Sequence, residues 1–193
     1  MQFTKANQLP FDPKSQMGMI FAEGYYQWLG FFSKDKENLS KALEHMFDLD
    51  YFFVAEENNK IAAIAACTNR KSPPVRLDKK ILSEKFGLVR GSIAYVVLKK
   101  NLVDHSYPFE VPQQTASIEF VATAPEYKGK GVAYSLITYI MQTLSHSEYI
   151  LEVADNNIPA IRLYEKLGFN EFERILAPKG SGIKYLIYMK KES

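Results

Sequence analysis

Lysine and glycine alternate at Lys128-Gly-Lys-Gly131, immediately before a stretch with helical periodicity. Apolar residues at positions 132, 133, 136, 137, 140, 141 and 144 predict a helix that begins at Val132. The first amides of a helix have no intrahelical partner and the helix dipole is positive there, so such a turn attracts anions. The glycines allow close approach of a phosphate, and the lysines add charge. The segment is therefore a candidate phosphate-binding turn.

This turn differs from two familiar phosphate-binding motifs. The chain contains no G-x-x-x-x-G-K-[ST] string, which excludes a Walker P-loop. Tyr134 stands where a dinucleotide fingerprint needs its third glycine. On these few residues alone, a solvated loop is as good an interpretation as a phosphate-binding turn. The surrounding secondary structure has to distinguish the two.

Strands and helices alternate around the turn, and the front of the chain adds helices and a hairpin. In the second half we predict strands over 117–123, 149–153, 169–176 and 183–189, helices over 132–144 and 159–167, and a C-terminal cap at Gly168. In the front half we predict helices over 11–32, 39–47 and 78–86, and the two strands of a hairpin over 51–56 and 61–68. Residues 93–102 could form another helix, or residues 94–98 could form a strand instead. The order is typical of a mixed α/β, or α+β, fold.

Composition and charge place the 193-residue chain among ordinary globular proteins. Its net charge of +2 gives no general reason to expect a nucleic-acid or membrane partner. Between positions 69 and 100, nine basic residues, including Arg70 and Lys71, stand against two acidic ones. That segment predicts either a solvated face or a surface that helps hold an anionic cofactor or substrate. No apolar run approaches the ~18 residues of a membrane span, so we expect a cytoplasmic protein.

Residues 119–133, EFVATAPEYKGKGVA, with the long helix that follows, resemble motif A of the GNAT acetyltransferases. The core of that motif is [QR]-x-x-G-x-[GA]. Gly131 and Ala133 match it, whereas Lys128 departs from it. A lysine keeps the positive charge but lacks the planar fork or amide of the usual residue, which leaves the backbone cradle unaffected.

Residues 157–169, NIPAIRLYEKLGF, resemble motif B of the same superfamily, N-x-x-A-x-x-[LF]-Y-x-x-x-G-F. This second match is the more specific of the two, and the motifs occur in the family's order. Together the resemblance covers roughly residues 115–190. It identifies the chain as similar to acetyl-CoA-dependent N-acetyltransferases.

The resemblance implies the GNAT acyl-CoA N-acyltransferase fold. This fold has a central, mostly antiparallel twisted sheet that is splayed at the cofactor site and flanked by helices. It implies one domain over 1–193, with motif A at 117–145 and motif B at 149–169. A helical insertion at about 69–114 precedes the motif A strand and is not typical of a minimal GNAT domain. The closing strands support a dimer in many relatives, so a homodimer is an open expectation.

Acetyl-CoA is the acetyl donor that the resemblance implies. In the family, the strand before the turn bulges and splays from its neighbour, and the pantetheine arm pairs with its free backbone groups. Asn157 corresponds to an asparagine that bonds this arm, and it also suits the N-cap of the following helix. The remaining implied contacts are Val121, Ala122 and Thr123 for the arm, and Lys128, Gly129, Lys130, Gly131, Val132, Ala133 and Tyr134 for the pyrophosphate.

The chemistry implied is direct attack of a neutral amine on the thioester, because no Ser, Cys and His arrangement suggests a covalent intermediate. Glu119 is the candidate general base, directly or through water, with an ordinary strand carboxylate as the alternative. The amide of Val121 is the family's usual oxyanion donor. Tyr164 stands where these enzymes commonly place a general acid, with a core aromatic as the alternative.

The cysteine and histidine pattern predicts neither a nucleophile nor a metal site. Cys67, the single cysteine, ends an apolar run and predicts a buried structural thiol. His45, His105 and His146 lack metal-ligand spacing to one another and to Cys67, so we expect no metal.

These observations predict an N-acetyltransferase that acts on a primary amine, with a small molecule favoured over a protein as acceptor. Segments 21–32 and 102–112 are the candidates for acceptor contact, because the front half and the loop before motif A usually shape that pocket. The alternative is a non-catalytic acyl-CoA-binding sensor or scaffold. A nucleic-acid-binding protein is disfavoured, since aromatic residues are not interleaved with the basic ones.

Overall fold

A computed structural model describes residues 1–69, 72–104 and 106–192 and contains a seven-stranded sheet. Its strands are β1 (Gln2–Lys5), β2 (Phe52–Glu57), β3 (Lys60–Thr68), β4 (Thr115–Thr123), β5 (Glu148–Ala154), β6 (Asn170–Leu176) and β7 (Tyr185–Glu192). They lie in the order β1-β2-β3-β4-β5-β7-β6. Neighbouring strands are antiparallel except β4 and β5, which are parallel.

Helices cover both faces of this sheet. They are α1 (Lys14–Gly24), α2 (Tyr26–Leu29), α3 (Lys36–Leu43), α4 (Lys79–Phe86), α5 (Leu88–Leu98), α6 (Val132–Leu144) and α7 (Ile158–Lys166). Short 3₁₀ turns occur at Ala6–Gln8, Glu44–Met46 and Pro125–Tyr127, and a π-helical turn at Lys99–Val103 extends α5.

Alternating strand residues supply two hydrophobic clusters, one on each face of the sheet. In β3, Ile61 and Ile64 belong to the first cluster, which includes residues of α1 and α3. Ala63 and Ala65 belong to the second cluster, which includes residues of α6 and α7. The small alanine side chains let α6 pack close to the centre of the sheet.

The two parallel strands separate after a short paired region. β4 and β5 form register pairs only from Thr115↔Glu148 to Ser117↔Ile150, although β4 continues to Thr123 and β5 to Ala154. Their carboxyl-terminal halves therefore border a gap in the described sheet. The predicted mixed fold, with a mostly antiparallel and splayed sheet, is confirmed. The carboxyl ends of parallel strands are also where such sheets usually hold ligands.

The front helices differ from prediction at their boundaries. The helix predicted over 11–32 is broken at Tyr25, whose φ of −109° and ψ of 15° end α1 and begin α2. The helix predicted over 39–47 begins earlier, because the Asp35 carboxylate caps α3, and it ends in a 3₁₀ turn. The sequence pattern does not predict β1, because its four residues are too few to show alternation.

A helical hairpin, α4 followed by α5, occupies part of the segment over which an insertion is predicted. Asp78 caps α4 by accepting a hydrogen bond from the Lys80 amide at 2.7 Å, and Gly87 ends it with φ 83°. α5 begins earlier than predicted, and the strand alternative over 94–98 is wrong. The reason is the helical spacing of the buried residues of α5, which are Gly91, Ala94 and Leu98.

α5 approaches α4 at backbone distance. A Cβ atom on Gly91 would lie 2.3 Å from the Cα atom of Ser83 and 2.6 Å from the carbonyl oxygen of Leu82. Both atoms belong to the backbone and cannot move without moving α4. Only glycine permits this approach, so Gly91 sets the distance between the two helices.

His45 connects this hairpin to α3. Its Nε2 atom accepts a hydrogen bond from the Asp78 amide at 2.9 Å, which requires that nitrogen to be unprotonated. Burial lowers the pKa of His45, and the Ala42 backbone and the Asp78 charge offset this effect only in part. The neutral imidazole is thus built into the start of α4.

Among the described residues, none of the helices combines the length and the apolar character needed to cross a bilayer. Part of the basic segment noted above, Arg70 and Lys71, lies outside the described residues, as does His105. β6 forms one edge of the sheet, and most of its residues are exposed.

Gly91→Ala should lower the free energy of unfolding by about 1–3 kcal/mol, because the added methyl group overlaps the α4 backbone. Alanine is the better helix former by ~1 kcal/mol, so any loss has to come from packing. Urea denaturation followed by circular dichroism measures the change. Ser92→Ala, in the same helix, serves as control and should stay within about 0.5 kcal/mol of wild type. Equal stability of Gly91→Ala and wild type would contradict the close contact.

Stability should also fall on mild acidification through His45. The pKa of His45 is lowered in the folded protein, so this contribution is present above the ordinary value of about 6.5 and is lost as pH falls through the folded-state pKa. We expect the loss to develop below about pH 6.5 in urea titrations. In His45→Gln, an amide oxygen replaces the acceptor and should remove this part of the pH dependence. Identical pH profiles for the two proteins would refute the assignment.

Candidate active site

The glycine turn joins the end of β4 to the start of α6. Gly129 and Gly131 have φ angles of 74° and 76°, in the left-handed region that glycine favours. A Cβ atom on either would meet nothing within 4 Å, so the space beside the turn is open. The Ser135 amide donates to the Gly131 carbonyl at 3.0 Å and closes the first helical turn. The amides of residues 132–134 therefore point out of the helix end, where an anion can accept from them.

Three ammonium groups surround this helix end. Lys128 and Lys130 are exposed in the turn itself, and the Nζ atom of Lys130 lies 5.7 Å from the ring centre of Tyr127. Lys166, from the end of α7, places its Nζ atom 5.2 Å from the ring centre of Tyr134. Lys166 was not among the predicted site residues, since only the packing of α7 against α6 brings it here. The turn thus combines oriented amides with positive charge.

A β-bulge distorts β4 just before the turn. The register against β3 shifts between Ala66↔Glu119 and Ile64↔Ala122, so two β4 residues stand opposite one. Phe120, inside the bulge, has φ 54°, an uncommon value for a bulky residue. The expected bulge is therefore present.

The bulge also changes which face of the sheet the next side chains occupy. Phe120 packs in the first cluster, with its ring centre 5.9 Å from that of Phe21, whereas Val121 packs in the second. Ala122 and Thr123 pair with β3, and in the described residues β4 has no register partner on β5 at these positions. The strand edge from 121 to 123 consequently borders the gap.

Two carboxylates occupy equivalent positions where β4 and β5 separate. Ser117↔Ile150 is the last register pair, and Glu119 and Glu152 each lie two residues beyond it. Alternation places both on the same face, since the intervening Ile118 belongs to the second cluster on the opposite face. Both carboxylates are half-buried. Glu152 has no motif of its own, and it becomes a candidate only through the strand register.

Tyr164 lies on α7, on the opposite side of the sheet from the carboxylates. Its side chain is 6% exposed and packs edge-on against Phe169 at 6.1 Å between ring centres. Burial raises the pKa of Tyr164, so the phenol keeps its proton at physiological pH. The core-packing role and a proton-donor role are therefore compatible.

Tyr25 brings these groups into one site. Burial raises the pKa of Tyr25, and the nearby Tyr164, Glu119 and Glu152 raise it further. Glu119, Glu152 and Tyr164, which belong to β4, β5 and α7, thus each lie within electrostatic range of Tyr25.

The break between α1 and α2 holds Tyr25 over β4. The position of Gly24 is tight, because a Cβ atom there would lie 3.2 Å from that of Ala122. Tyr25 stacks on Phe21 with 4.4 Å between ring centres, and Trp28 follows at 6.0 Å from Tyr25. Segment 21–32, predicted to contact the acceptor, therefore does lie against the strand that carries Glu119.

Two further segments border the carboxylate face. The Trp28 Nε1 atom donates to the Ser181 carbonyl at 3.3 Å, which joins α2 to the loop between β6 and β7. The Tyr107 hydroxyl lies 2.6 Å from the Ser117 hydroxyl, and its ring packs against Tyr188 at 5.5 Å. Segment 102–112 thus reaches the same face of β4, two residues before Glu119.

Asn157 performs the structural role predicted for it. Its side-chain oxygen accepts a hydrogen bond from the Ala160 amide at 3.3 Å and caps α7. At the other end of α7, Gly168 has φ 90°, as expected for a C-terminal cap. The two caps fix the length of the helix that carries Tyr164.

Cys67 is a buried thiol. Its side chain is 5% exposed, and burial together with the charge of Glu119 raises its pKa to about 12. The thiol is therefore protonated at neutral pH and unsuited to nucleophilic attack. Within residues 1–69, 72–104 and 106–192, no group of three His, Cys, Asp or Glu side chains is arranged to hold a metal ion.

The chain is similar to known acetyltransferases. A family model described as the acetyltransferase (GNAT) family matches residues 22–169. Cysteine-rich protein 2-binding protein of Mus musculus is 31% identical over 132 residues, which are 66% of this chain and 16% of that protein. Streptothricin acetyltransferase of Escherichia coli is 40% identical over 57 residues, 28% of this chain and 33% of that protein. The chain thus spans a third or less of these relatives.

Solved structures agree on the fold. An N-acetyltransferase from Staphylococcus aureus Mu50 superposes with a TM-score of 0.59 at 17% identity, covering 99% of this chain and 100% of that one. At this identity the likeness concerns the fold alone. The family model, by contrast, covers most of the chain, including the glycine turn, both carboxylates and Tyr164. The chain belongs to the acetyltransferase (GNAT) family.

Proposed function

We propose that this chain transfers the acetyl group of acetyl-CoA to a primary amine by direct attack. One observation carries the proposal. Glu119 and Glu152 lie on one face where β4 and β5 separate, and both act electrostatically on Tyr25, as does the buried phenol of Tyr164. The open, lysine-bearing end of α6 follows β4 in the chain. We infer that the two carboxylates supply proton acceptors and Tyr164 a proton donor beside a pyrophosphate site.

The donor would lie along the open edge of β4. Its pyrophosphate accepts hydrogen bonds from the amides of residues 129–134, with Lys128, Lys130 and Lys166 supplying charge. Its pantetheine arm runs along the backbone of 121–123, where β4 has left β5 and can bond another extended chain. The side chain of Asn157 combines its capping role with a contact to this arm.

The reaction needs a base, an oxyanion donor and an acid. Glu119 or Glu152 accepts a proton from the acceptor ammonium, directly or through water, and leaves the neutral amine to attack the thioester carbonyl. The Val121 amide donates to the oxyanion that develops. Tyr164 donates to the departing thiolate of CoA, which is suitable because burial keeps its phenol protonated.

The acceptor side is acidic and aromatic. A positively charged amine approaching Glu119 and Glu152 passes Tyr25 and Trp28, whose ring faces attract cations. We therefore propose a small cationic amine as acceptor. A relative is named for streptothricin acetylation, which makes streptothricin one reasonable candidate among several.

Gly131→Ala should weaken acetyl-CoA binding by at least about tenfold, because a non-glycine residue in the left-handed region costs roughly 1–2 kcal/mol and turns the neighbouring amides. Isothermal titration calorimetry with acetyl-CoA measures the effect. Gly180→Ala is the matched control. Gly180 has φ 84°, and its Cβ position is equally open, but it lies in the loop between β6 and β7. Unchanged affinity in Gly131→Ala would remove the turn from the donor site.

Tyr164→Phe should lower kcat by about 10²-fold or more with little change in acetyl-CoA affinity, because only the proton donor is lost. Release of CoA thiol is followed with purified protein, acetyl-CoA and a panel of streptothricin, polyamines, amino acids and lysine peptides. Glu119→Gln and Glu152→Gln should each reduce the rate of thiol release. The substitution that removes the general base should also abolish the increase of this rate with pH.

Glu148→Gln is the matched control for the two carboxylate variants. Glu148 lies on the same face of β5 but bonds the Thr115 hydroxyl at 2.8 Å, away from the gap. It should retain full activity. Tight acetyl-CoA binding without amine-dependent thiol release for any acceptor would instead indicate an acyl-CoA sensor or scaffold.

A further inference from the structure

The outer face of α5 is apolar. Its exposed side chains and their exposed fractions are Leu88 (81%), Val89 (75%), Ile93 (45%), Val96 (64%) and Val97 (40%). Positions 89, 93, 96 and 97 repeat at helical spacing and form one stripe on the helix surface. We call these four residues, together with Leu88 at the start of the helix, the α5 stripe.

The α5 stripe does not result from loose packing of the hairpin. The opposite face of α5 carries Gly91, Ala94 and Leu98, which are buried, and Gly91 lies in backbone contact with α4. An ordinary surface helix buries its larger apolar residues and exposes polar ones. α5 instead exposes all of its larger aliphatic side chains except Leu98, so most of them are available to a partner.

The stripe projects from the surface. Exposed fractions of 81% at Leu88 and 75% at Val89 are incompatible with a groove, in which side chains are shielded by walls. The side chains are aliphatic and lack groups for directional hydrogen bonds. Such a ridge is suited to insertion into the apolar boundary region of a lipid bilayer.

Positive charge surrounds the stripe. Arg90 lies three residues before Ile93, and Lys100 lies three and four residues after Val97 and Val96, so both flank the stripe on the helix surface. Over residues 78–104 the basic side chains are Lys79, Lys80, Lys85, Arg90, Lys99 and Lys100, against Asp78, Glu84 and Asp104, a balance of 6 − 3 = +3. Lys99 is paired with Asp104 at 2.6 Å, so Arg90 and Lys100 carry the positive charge beside the stripe.

This charge decides between possible occupants. A second copy of the chain would bring two positive rims together, which is unfavourable. An anionic lipid surface offers both negative headgroups for the basic residues and an acyl boundary for the stripe. We propose that the α5 stripe and its basic rim dock this protein on anionic phospholipid membranes.

This proposal is independent of the acetyl-transfer proposal and goes beyond what net charge indicates. A total charge of +2 gives no general reason to expect a membrane partner. In the folded chain, however, Arg90 and Lys100 flank an apolar ridge. A surface anchor of this kind needs no helix long enough to span the bilayer.

Co-sedimentation of the whole chain with vesicles tests the docking. One vesicle type is phosphatidylcholine alone and the other contains equal parts of phosphatidylcholine and phosphatidylglycerol. Wild type should bind the anionic vesicles, bind them less at high salt, and bind the neutral vesicles weakly. The triple variant Val89→Gln, Ile93→Gln and Val96→Gln should lose at least about tenfold in affinity. Arg90→Gln and Lys100→Gln should each lose roughly fivefold.

Two control variants separate the α5 surface from general surface properties. Leu176→Gln replaces a 72% exposed aliphatic residue on β6, which matches Val89, and Lys60→Gln removes an exposed positive charge at the start of β3. Both should bind vesicles like wild type. Thermal unfolding and thiol release in the absence of vesicles check that the α5 variants remain folded.

Three results would overturn the proposal. The first is absence of binding to anionic vesicles, and the second is equal binding by wild type and the triple variant. The third is a dimer in sedimentation velocity that the triple variant abolishes, which would show that a second copy covers the stripe. If wild type does not bind vesicles but does bind an acidic amphipathic peptide that the triple variant fails to bind, the partner is a protein.

Discussion

The separation of two parallel strands is the constraint on which the rest of this structure depends. β4 and β5 pair at three positions and then diverge, and the bulge at Phe120 accompanies the change. A continuous sheet would keep groups on its two faces apart. At this gap, Tyr164 from one face and Glu119 from the other both raise the pKa of Tyr25. The uncommon backbone conformation of Phe120 is therefore best understood as part of the site.

Charge is divided across this gap. The α6 end presents oriented amides and lysines, whereas the opposite face of the sheet presents Glu119 and Glu152. Under the proposed function, this division would draw a polyanionic donor and a cationic acceptor to opposite sides of the reacting centre. Tyr164 is buried and Tyr25 is half-buried, and both phenols stay neutral because burial raises their pKa values. They can donate hydrogen bonds without adding to either charge.

The α4–α5 hairpin lies between β3 and β4 in the chain and contributes no strand to the described sheet. His45 and Asp78 join it to α3, and Gly91 holds its two helices in backbone contact. Gly91, Ala94 and Leu98 are the buried residues of α5, and its other large aliphatic side chains are exposed. The hairpin thereby acquires a surface whose chemistry differs from that of the active site.

The sequence alone determined the elements whose signal is local. The helix of motif B, the glycine turn before α6 and the hairpin of β2 and β3 follow from periodicity, caps and turn residues, and their chemistry points to an acyl-CoA enzyme. The break at Tyr25, the equivalent positions of Glu119 and Glu152 and the outward face of α5 were decided only in the tertiary structure. Glu119 and Glu152 correspond to each other through the parallel register of β4 and β5, and a register between strands distant in sequence leaves no local pattern in the chain.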